Sequence, residues 1–292
     1  MKYLIKKDIK IPKRNPQSHK GQNGRAAIIG GSLDYTGTLA LAGIAALRSG
    51  ADIVTVFAPS KVAWALNCLS ADLVTRKLDG KYLNKRHVNE ILEFSKNADA
   101  ILIGNGMAVR EETKEFARIF FKKIKNLNKK LIIDADGIKV ISIDDVDNAI
   151  ITPHILELKS LLKNSKINER IIKKIINEKN IENKAKLMQK TLKNRIKNNI
   201  LLLKGPIDAI ISKNKIIYNK TGNAGMTKAG TGDVLAGLCV GFLAQSKDLW
   251  QSAVNAAYFN GLIGDILLKK HKGYSYLASD MAEEIKRLRG LK

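Results

Sequence analysis

Six short runs of aliphatic and β-branched residues limit most strongly what this 292-residue chain can fold into. They are residues 26–30, 52–57, 100–104, 130–134, 149–152 and 199–204, each apolar through its middle rather than alternating with polar residues. A strand covered on one face alternates, whereas a continuous apolar run needs cover on both. Helix-like segments follow the runs, among them the small-residue stretch Thr38 to Ser49 and the stretch Trp64 to Leu69. Strand and helix in alternation predict an α/β fold, a three-layer α/β/α sandwich with a mostly parallel central sheet. Between Ile207 and Tyr218, Ile and Ala runs flank Ser212-Lys213-Asn214-Lys215, which predicts a hairpin, and residues 231–289 read as largely helical. No Pro-rich or Gly/Ser linker divides the chain and no repeat of 20–50 residues is evident, so one domain over residues 1–292 is expected.

Composition enters through charge. With 45% hydrophobic and 27% charged residues the chain is globular rather than disordered. Its longest uncharged apolar run, Val234 to Ala244, is too short for a bilayer, which needs about 20 residues. The net charge of +24 suggests a polyanionic partner at first sight. Yet the basic residues are 40 lysines and 11 arginines, and aromatics make up only 5%. Base readout favours the Arg fork, and single strands need stacking platforms. The lysines concentrate between Leu158 and Asn199, where runs such as Ile171-Ile172-Lys173-Lys174-Ile175-Ile176 describe an amphipathic helix with a solvated basic face. No specific nucleic-acid or membrane partner is expected. Cys68 and Cys239 form no CxxC and lie in apolar surroundings, so free, buried thiols in a reducing compartment are expected. The first twenty residues carry no apolar signal core, which makes a cytoplasmic protein the expectation.

Open parallel sheets bind ligands at the carboxyl ends of their strands. Reading those ends gives Gly30-Gly31-Ser32, Gly104-Asn105-Gly106, Asp134-Ala135-Asp136, Thr152-Pro153-His154 and Lys204-Gly205, small, polar or charged in turn. The most specific segment lies further on, where the glycine-rich stretch from Gly222 runs through Ala229-Gly230-Thr231-Gly232-Asp233 into an apolar helix. Free amide groups and the positive helix end form an anion pocket there, and Asp233 in the first turn can act on a neighbouring hydroxyl. Together these describe in-line phosphoryl transfer. A tight turn with a capping Asp would need the same residues, and the segment alone leaves both readings open. No GxxxxGK[ST] and no strand-following GxGxxG is present. The four histidines, His19, His87, His154 and His271, are too scattered for a zinc site, and no metal ligand is assigned.

Gly230-Thr231-Gly232-Asp233 opening a helix resembles the anion-hole motif of ribokinase-like enzymes. The wider set resembles one branch of them, the ADP- or ATP-dependent NAD(P)H-hydrate dehydratases. It comprises Lys20-Gly21 with Gly24, Gly30-Gly31-Ser32 with Tyr35-Thr36-Gly37, Asp134-Ala135-Asp136, Thr152-Pro153-His154 with Glu157, Lys204-Gly205 and the loop from Gly222 to Gly237. The resemblance runs from about Lys20 to Ile285. It implies a ribokinase-like fold and repair of the S epimer of NADH or NADPH hydrate. A nucleotide, with ADP favoured over ATP, phosphorylates the ring hydroxyl with Mg2+, and phosphate is then expelled. Carried over by position, Asp233 takes the hydroxyl proton, and the amides of Ala229, Gly230, Thr231 and Gly232 hold the transferring phosphoryl. Lys204, Gly205, Pro206, Ile207 and Asp208 line the adenylate, with Gly232 against the nucleotide. Thr38, Gly104, Gly106, His154 and Asp233 contact the hydrate.

The chain departs from the family pattern at Ala224 for Pro, Thr227-Lys228-Ala229-Gly230 for Ala-Thr-Gly-Gly, and Thr38 for Ala. After His154 it keeps only the acid, Glu157, of the usual sequence. The dehydratase motifs begin at Lys20, so the epimerase that serves the reaction is expected on a separate chain. The expected assembly is a homo-oligomer, up to a tetramer, with small-residue helices such as Thr38 to Ser49 at the interface. Two rivals remain: a ribokinase-like kinase of a small vitamin alcohol of the hydroxyethylthiazole or pyridoxal type, and a nucleic-acid-binding protein using the basic surface.

Overall fold

A computed structural model describes residues 1–290. The elements run β1 (Arg25–Ile29), α1 (Gly37–Ser49), β2 (Ile53–Pro59), α2 (Ser60–Leu69), β3 (Val74–Leu78), α3 (Val88–Ser95) and β4 (Ala100–Ile103). Next come α4 (Glu111–Ile124), β5 (Leu131–Ile133), α5 (Asp136–Val140), β6 (Ala149–Ile151), α6 (Ile155–Asn164), α7 (Glu169–Asn177) and α8 (Ile181–Leu192). The chain closes with β7 (Ile200–Leu203), β8 (Asp208–Ile211), β9 (Ile216–Asn219), α9 (Thr231–Ser246), α10 (Leu249–Lys270), α11 (Ala278–Glu284) and a 3-10 segment, Ile285–Gly290.

The strands form one nine-stranded sheet in the order β3-β2-β1-β4-β5-β6-β7-β8-β9. It is parallel from β3 through β7, and the β8–β9 hairpin adds two antiparallel strands at the far end. All six apolar runs are strands and the hairpin turns at Ser212–Lys215, as expected. The strand that sequence reasoning passed over is β3. There Val74-Thr75-Arg76-Lys77-Leu78 carries three polar residues in a row and buries only Thr75 and Leu78, because an edge strand does not need apolar cover on both faces.

Period-two alternation within the apolar runs sorts their side chains onto two cores. Ala26, Ile28, Leu102, Ile132, Ile150 and Leu202 face α1, α2, α9, α10 and α11. Their neighbours Ala27, Ile29, Ile103, Ile133, Ile151 and Leu203 face α3 to α8. The first layer packs by small residues. A Cβ added to Gly237 of α9 would lie 2.3 Å from the Ala42 carbonyl oxygen of α1, and one on Gly241 2.0 Å from Ser49 Oγ. The small-residue face of α1 is therefore filled within the subunit by α9. In the second layer α7 is the amphipathic helix expected. Ile172 and Ile175 are buried, Lys173 and Lys174 are exposed, and Ile171 also reaches solvent.

Cys239 lies buried in α9, but Cys68 is exposed. Its apolar neighbours Trp64 and Leu69 are themselves on the outer side of α2, while Val62, Ala63 and Leu66 cover the core. Apolar sequence context around Cys68 therefore did not mean burial.

Candidate active site

The carboxyl ends of β1, β4, β5, β6 and β7 meet the amino end of α9, and a buried polar cluster fills the junction. Asp233 enters from the first turn of α9. Gly230 precedes that helix in the left-handed region (φ 94°), and a side chain there would strike Leu41 and Ala278, so glycine alone suits the turn. Ala229 stays out of the left-handed region, which accommodates its methyl. The Thr231 hydroxyl donates to the carbonyls of Met226 (2.7 Å) and Lys228 (3.0 Å), lashing the glycine-rich loop to the helix it precedes. The Thr231 amide is directed at Lys228 O (3.4 Å) and that of Val234 bonds Gly230 O. Between them, the amides of Gly232 and Asp233 are first-turn groups without an intrahelical acceptor, turned to whatever binds at the helix end.

Around Asp233 stand Asn105, Asp134, Thr152, Glu157 and Lys204. Asn105 Nδ2 donates to Asp233 Oδ1 (2.6 Å) and to Asp134 Oδ2 (2.9 Å). The other Asp134 oxygen accepts from Thr152 Oγ1 (2.7 Å) and Lys204 Nζ (2.9 Å), and that ammonium also lies 3.5 Å from Glu157. A Cβ on Gly232 would come within 3.7 Å of Lys204 Nζ, so the ammonium sits beside the amino end of α9.

Burial raises Asp233 to about 7. The Asn105 hydrogen bond and the Lys204 charge work against that rise, and the Asp134 and Glu157 charges add to it. Burial would lower Lys204, but Asp134 and Glu157 outweigh it and hold the ammonium charged. A carboxyl poised near neutrality beside a helix N-terminus and a fixed ammonium can take a proton from a hydroxyl while an anion is held alongside.

The remaining predicted positions fall around this centre. Gly106 lies against Thr38: a Cβ there would be 2.6 Å from Thr38 Oγ1, and that hydroxyl donates to Tyr35 O. Gly104 has a structural reason of its own, since its missing side chain is replaced by the Asp134 carbonyl, 2.1 Å from where a Cβ would stand. His154 caps α6. Its Nδ1 accepts from the Leu156 amide at 3.1 Å, its Nε2 lies 3.3 Å from Glu157, and about half of its side chain is open to solvent. Of residues 204–208, Gly205 and Pro206 are exposed at the β7–β8 turn. Lys204 turns inward to the carboxylates, and Asp208 is spent on its own surroundings, accepting from the Gly205 amide and from Asn219. Burial lifts Asp208 to about 6.

Asn105, Asp134, Thr152 and Glu157 were recognised in the sequence only as strand ends or motif letters. The usable signal for Asn105 was an amide side chain between two glycines at the end of an apolar run. Among the described residues no group of three or more His, Cys, Asp or Glu side chains is arranged to hold a metal ion, and no helix is long and apolar enough to cross a membrane.

Residues 26–287 match a family model described as NAD(P)H-hydrate dehydratase. The chain is 40% identical over 283 residues to the bifunctional NAD(P)H-hydrate repair enzyme of Methanothermobacter thermautotrophicus, covering 95% of this chain and 52% of that one. It thus spans about half the length of that relative. It is 34% identical over 289 residues to the ADP-dependent (S)-NAD(P)H-hydrate dehydratase of Nitrosopumilus maritimus, with 97% and 93% of the two chains covered. Among solved structures, a ribokinase-like superfamily protein of Enterococcus faecalis superposes with a TM-score of 0.82 at 25% identity, over 99% of this chain and 95% of its own.

Proposed function

The chain belongs to the NAD(P)H-hydrate dehydratase family, and from that premise we propose that it restores NADH or NADPH from the S epimer of the hydrate at the expense of ADP or ATP. The observation that carries this reading is Asp233. It is a half-buried carboxyl raised to about 7, at the end of a helix whose Gly232 and Asp233 amides have no intrahelical acceptor, beside the Lys204 ammonium. The hydroxyl on the hydrated ring lies against Asp233 and the terminal phosphoryl of the nucleotide against the amides at residues 229–232. The ring oxygen attacks phosphorus, the bond to the leaving nucleotide breaks, and Asp233 takes the hydroxyl proton. With ADP the nucleotide product is AMP. Hydroxide leaves poorly and phosphate well, so the ring nitrogen lone pair then expels phosphate. Loss of a proton from the adjacent carbon restores the dihydropyridine. Lys204 and the helix end offset the negative charge that gathers during transfer.

Thr38, Gly104, Gly106 and His154 are assigned to the hydrate, and residues 204–208 with Gly232 to the nucleotide. Because Asp208 and Lys204 are engaged elsewhere, the adenylate is read chiefly by backbone at the exposed β7–β8 turn. Mg2+ fits as a companion of the nucleotide phosphates, since it keeps much of its own water and needs few protein ligands. A kinase that stopped at the phosphorylated alcohol would need the same base, but family membership supports elimination as the second half.

The direct assay incubates NADH hydrate with the protein, Mg2+ and either ADP or ATP. The reduced-cofactor absorbance returns in step with nucleotide consumed, and only when nucleotide is present. No recovery with either nucleotide, or a stable phosphorylated product, would contradict the proposal.

A further inference from the structure

Asn105 occupies the bend after β4 between Gly104 (φ 123°) and Gly106 (φ 62°). Its main chain is pinned there, because the Gly31 amide donates to the Asn105 carbonyl at 2.9 Å. The side chain is fully buried. Each amide hydrogen is spent on a different carboxylate, Asp134 at 2.9 Å and Asp233 at 2.6 Å. Both neighbours accept, so the nitrogen must face them, and Asn105 Oδ1 is left buried without a partner. A buried unsatisfied oxygen costs stability, and an apolar side chain of similar size would avoid that cost. The residue is therefore poorly explained by packing alone.

We propose that Asn105 is the positioning residue for Asp233, bridging Asp134 and Asp233 so that one Asp233 oxygen is held and the other is free for the substrate hydroxyl. The inference rests on Asp233 acting as the base. Among the described residues Oδ1 of Asp233 is bonded by Asn105 alone, and Oδ2 has no partner. The charged and titratable groups facing Asp233 are Asp134 after β5, Glu157 in the first turn of α6 and Lys204 at the end of β7. The Lys204 ammonium bonds Asp134 and approaches Glu157, not Asp233. Asn105 is thus the side-chain donor that touches the ionised base directly, and it offsets the repulsion from Asp134.

The test compares wild type with Asn105→Ala and Asn105→Ser, the second keeping a short polar side chain that cannot bridge. The first readout is carboxyl 13C NMR titration of Asp233 in aspartate-labelled protein, with the signal assigned through Asp233→Asn. The second is kcat against pH, with nucleotide Kd measured alongside. In Asn105→Ala the Asp233 midpoint rises by about one pH unit. The acid limb of kcat moves up with it, activity recovers toward wild type at high pH, and nucleotide Kd changes by less than about twofold. A midpoint and limb that stay in place while kcat falls equally at every pH would overturn the assignment, as would loss of fold in both variants. Absence of dehydratase turnover in wild type would sink the functional reading, and the NMR titration would still decide whether Asn105 bridges the pair.

Discussion

On one side of the sheet α1 and α9 meet through Ala42, Ala45, Gly237 and Gly241, so closely that backbone touches backbone. On the other side, α4 and α7 bury Phe116, Phe120, Ile172 and Ile175 in the second core, and their outer surfaces carry lysine. Small-residue contacts leave no slack, because the atoms that would have to move are main chain. Large-residue contacts are matched by volume, and neighbouring rotamers can absorb a methylene. The proposed base and the amides assigned to the anion stand on α9, in the unyielding layer, while α6 of the other layer contributes Glu157 and the His154 cap. The stiffness of the α1–α9 contact thus fixes where Asp233 sits relative to Asn105, 128 residues earlier in the chain.

That contrast can be broken most sharply at Gly237. Gly237→Val forces a side chain into the Ala42 carbonyl and is expected to cost about 3 kcal/mol of stability in denaturant unfolding. Turnover should fall with it. The matching change in the other layer, Ile175→Val, should cost only about 1 kcal/mol and leave turnover at the wild-type level. Equal losses from the two variants would erase the distinction between the layers.

A middle-sized effect follows from the titration of Asp233. The base must be ionised to accept a proton, and burial holds it at about 7. Turnover should therefore rise with pH through about 7 and fall roughly tenfold per unit below it. A profile flat from pH 5 to 8 would contradict the burial argument. The smallest effect belongs to the lysine coat. Lys173→Gln with Lys174→Gln, both exposed on α7, should change stability by no more than about 0.5 kcal/mol and leave nucleotide affinity unchanged at physiological salt.

Much of this was legible in the sequence because it is local. Continuous apolar runs announced six strands buried on both faces, and the glycine-rich loop running into an apolar helix announced Asp233 and its amides. What remained hidden depends on neighbours far along the chain. The β3 edge strand is largely polar like many surface segments, and only its pairing with β2 makes it a strand. Asn105 carried no signal beyond two flanking glycines, since its partners Asp134 and Asp233 come from the bend after β5 and from α9. Cys68 misled because apolar neighbours on an outer helix face imitate a core. The +24 charge never located the site, whose side chains comprise three carboxylates around one ammonium. An anion bound there is met by Lys204 and by main-chain amides, and the surface lysines add at most a general attraction for nucleotide and cofactor.

The central claim is that Asp233 takes the proton at the end of α9. Its most direct test is steady-state turnover of Asp233→Asn on NADH hydrate at saturating nucleotide, with nucleotide Kd measured on the same protein. The predicted result is a loss of turnover by about two to four orders of magnitude with Kd little changed, because the substitution removes the base and keeps the shape. Turnover within a few-fold of wild type would contradict the assignment.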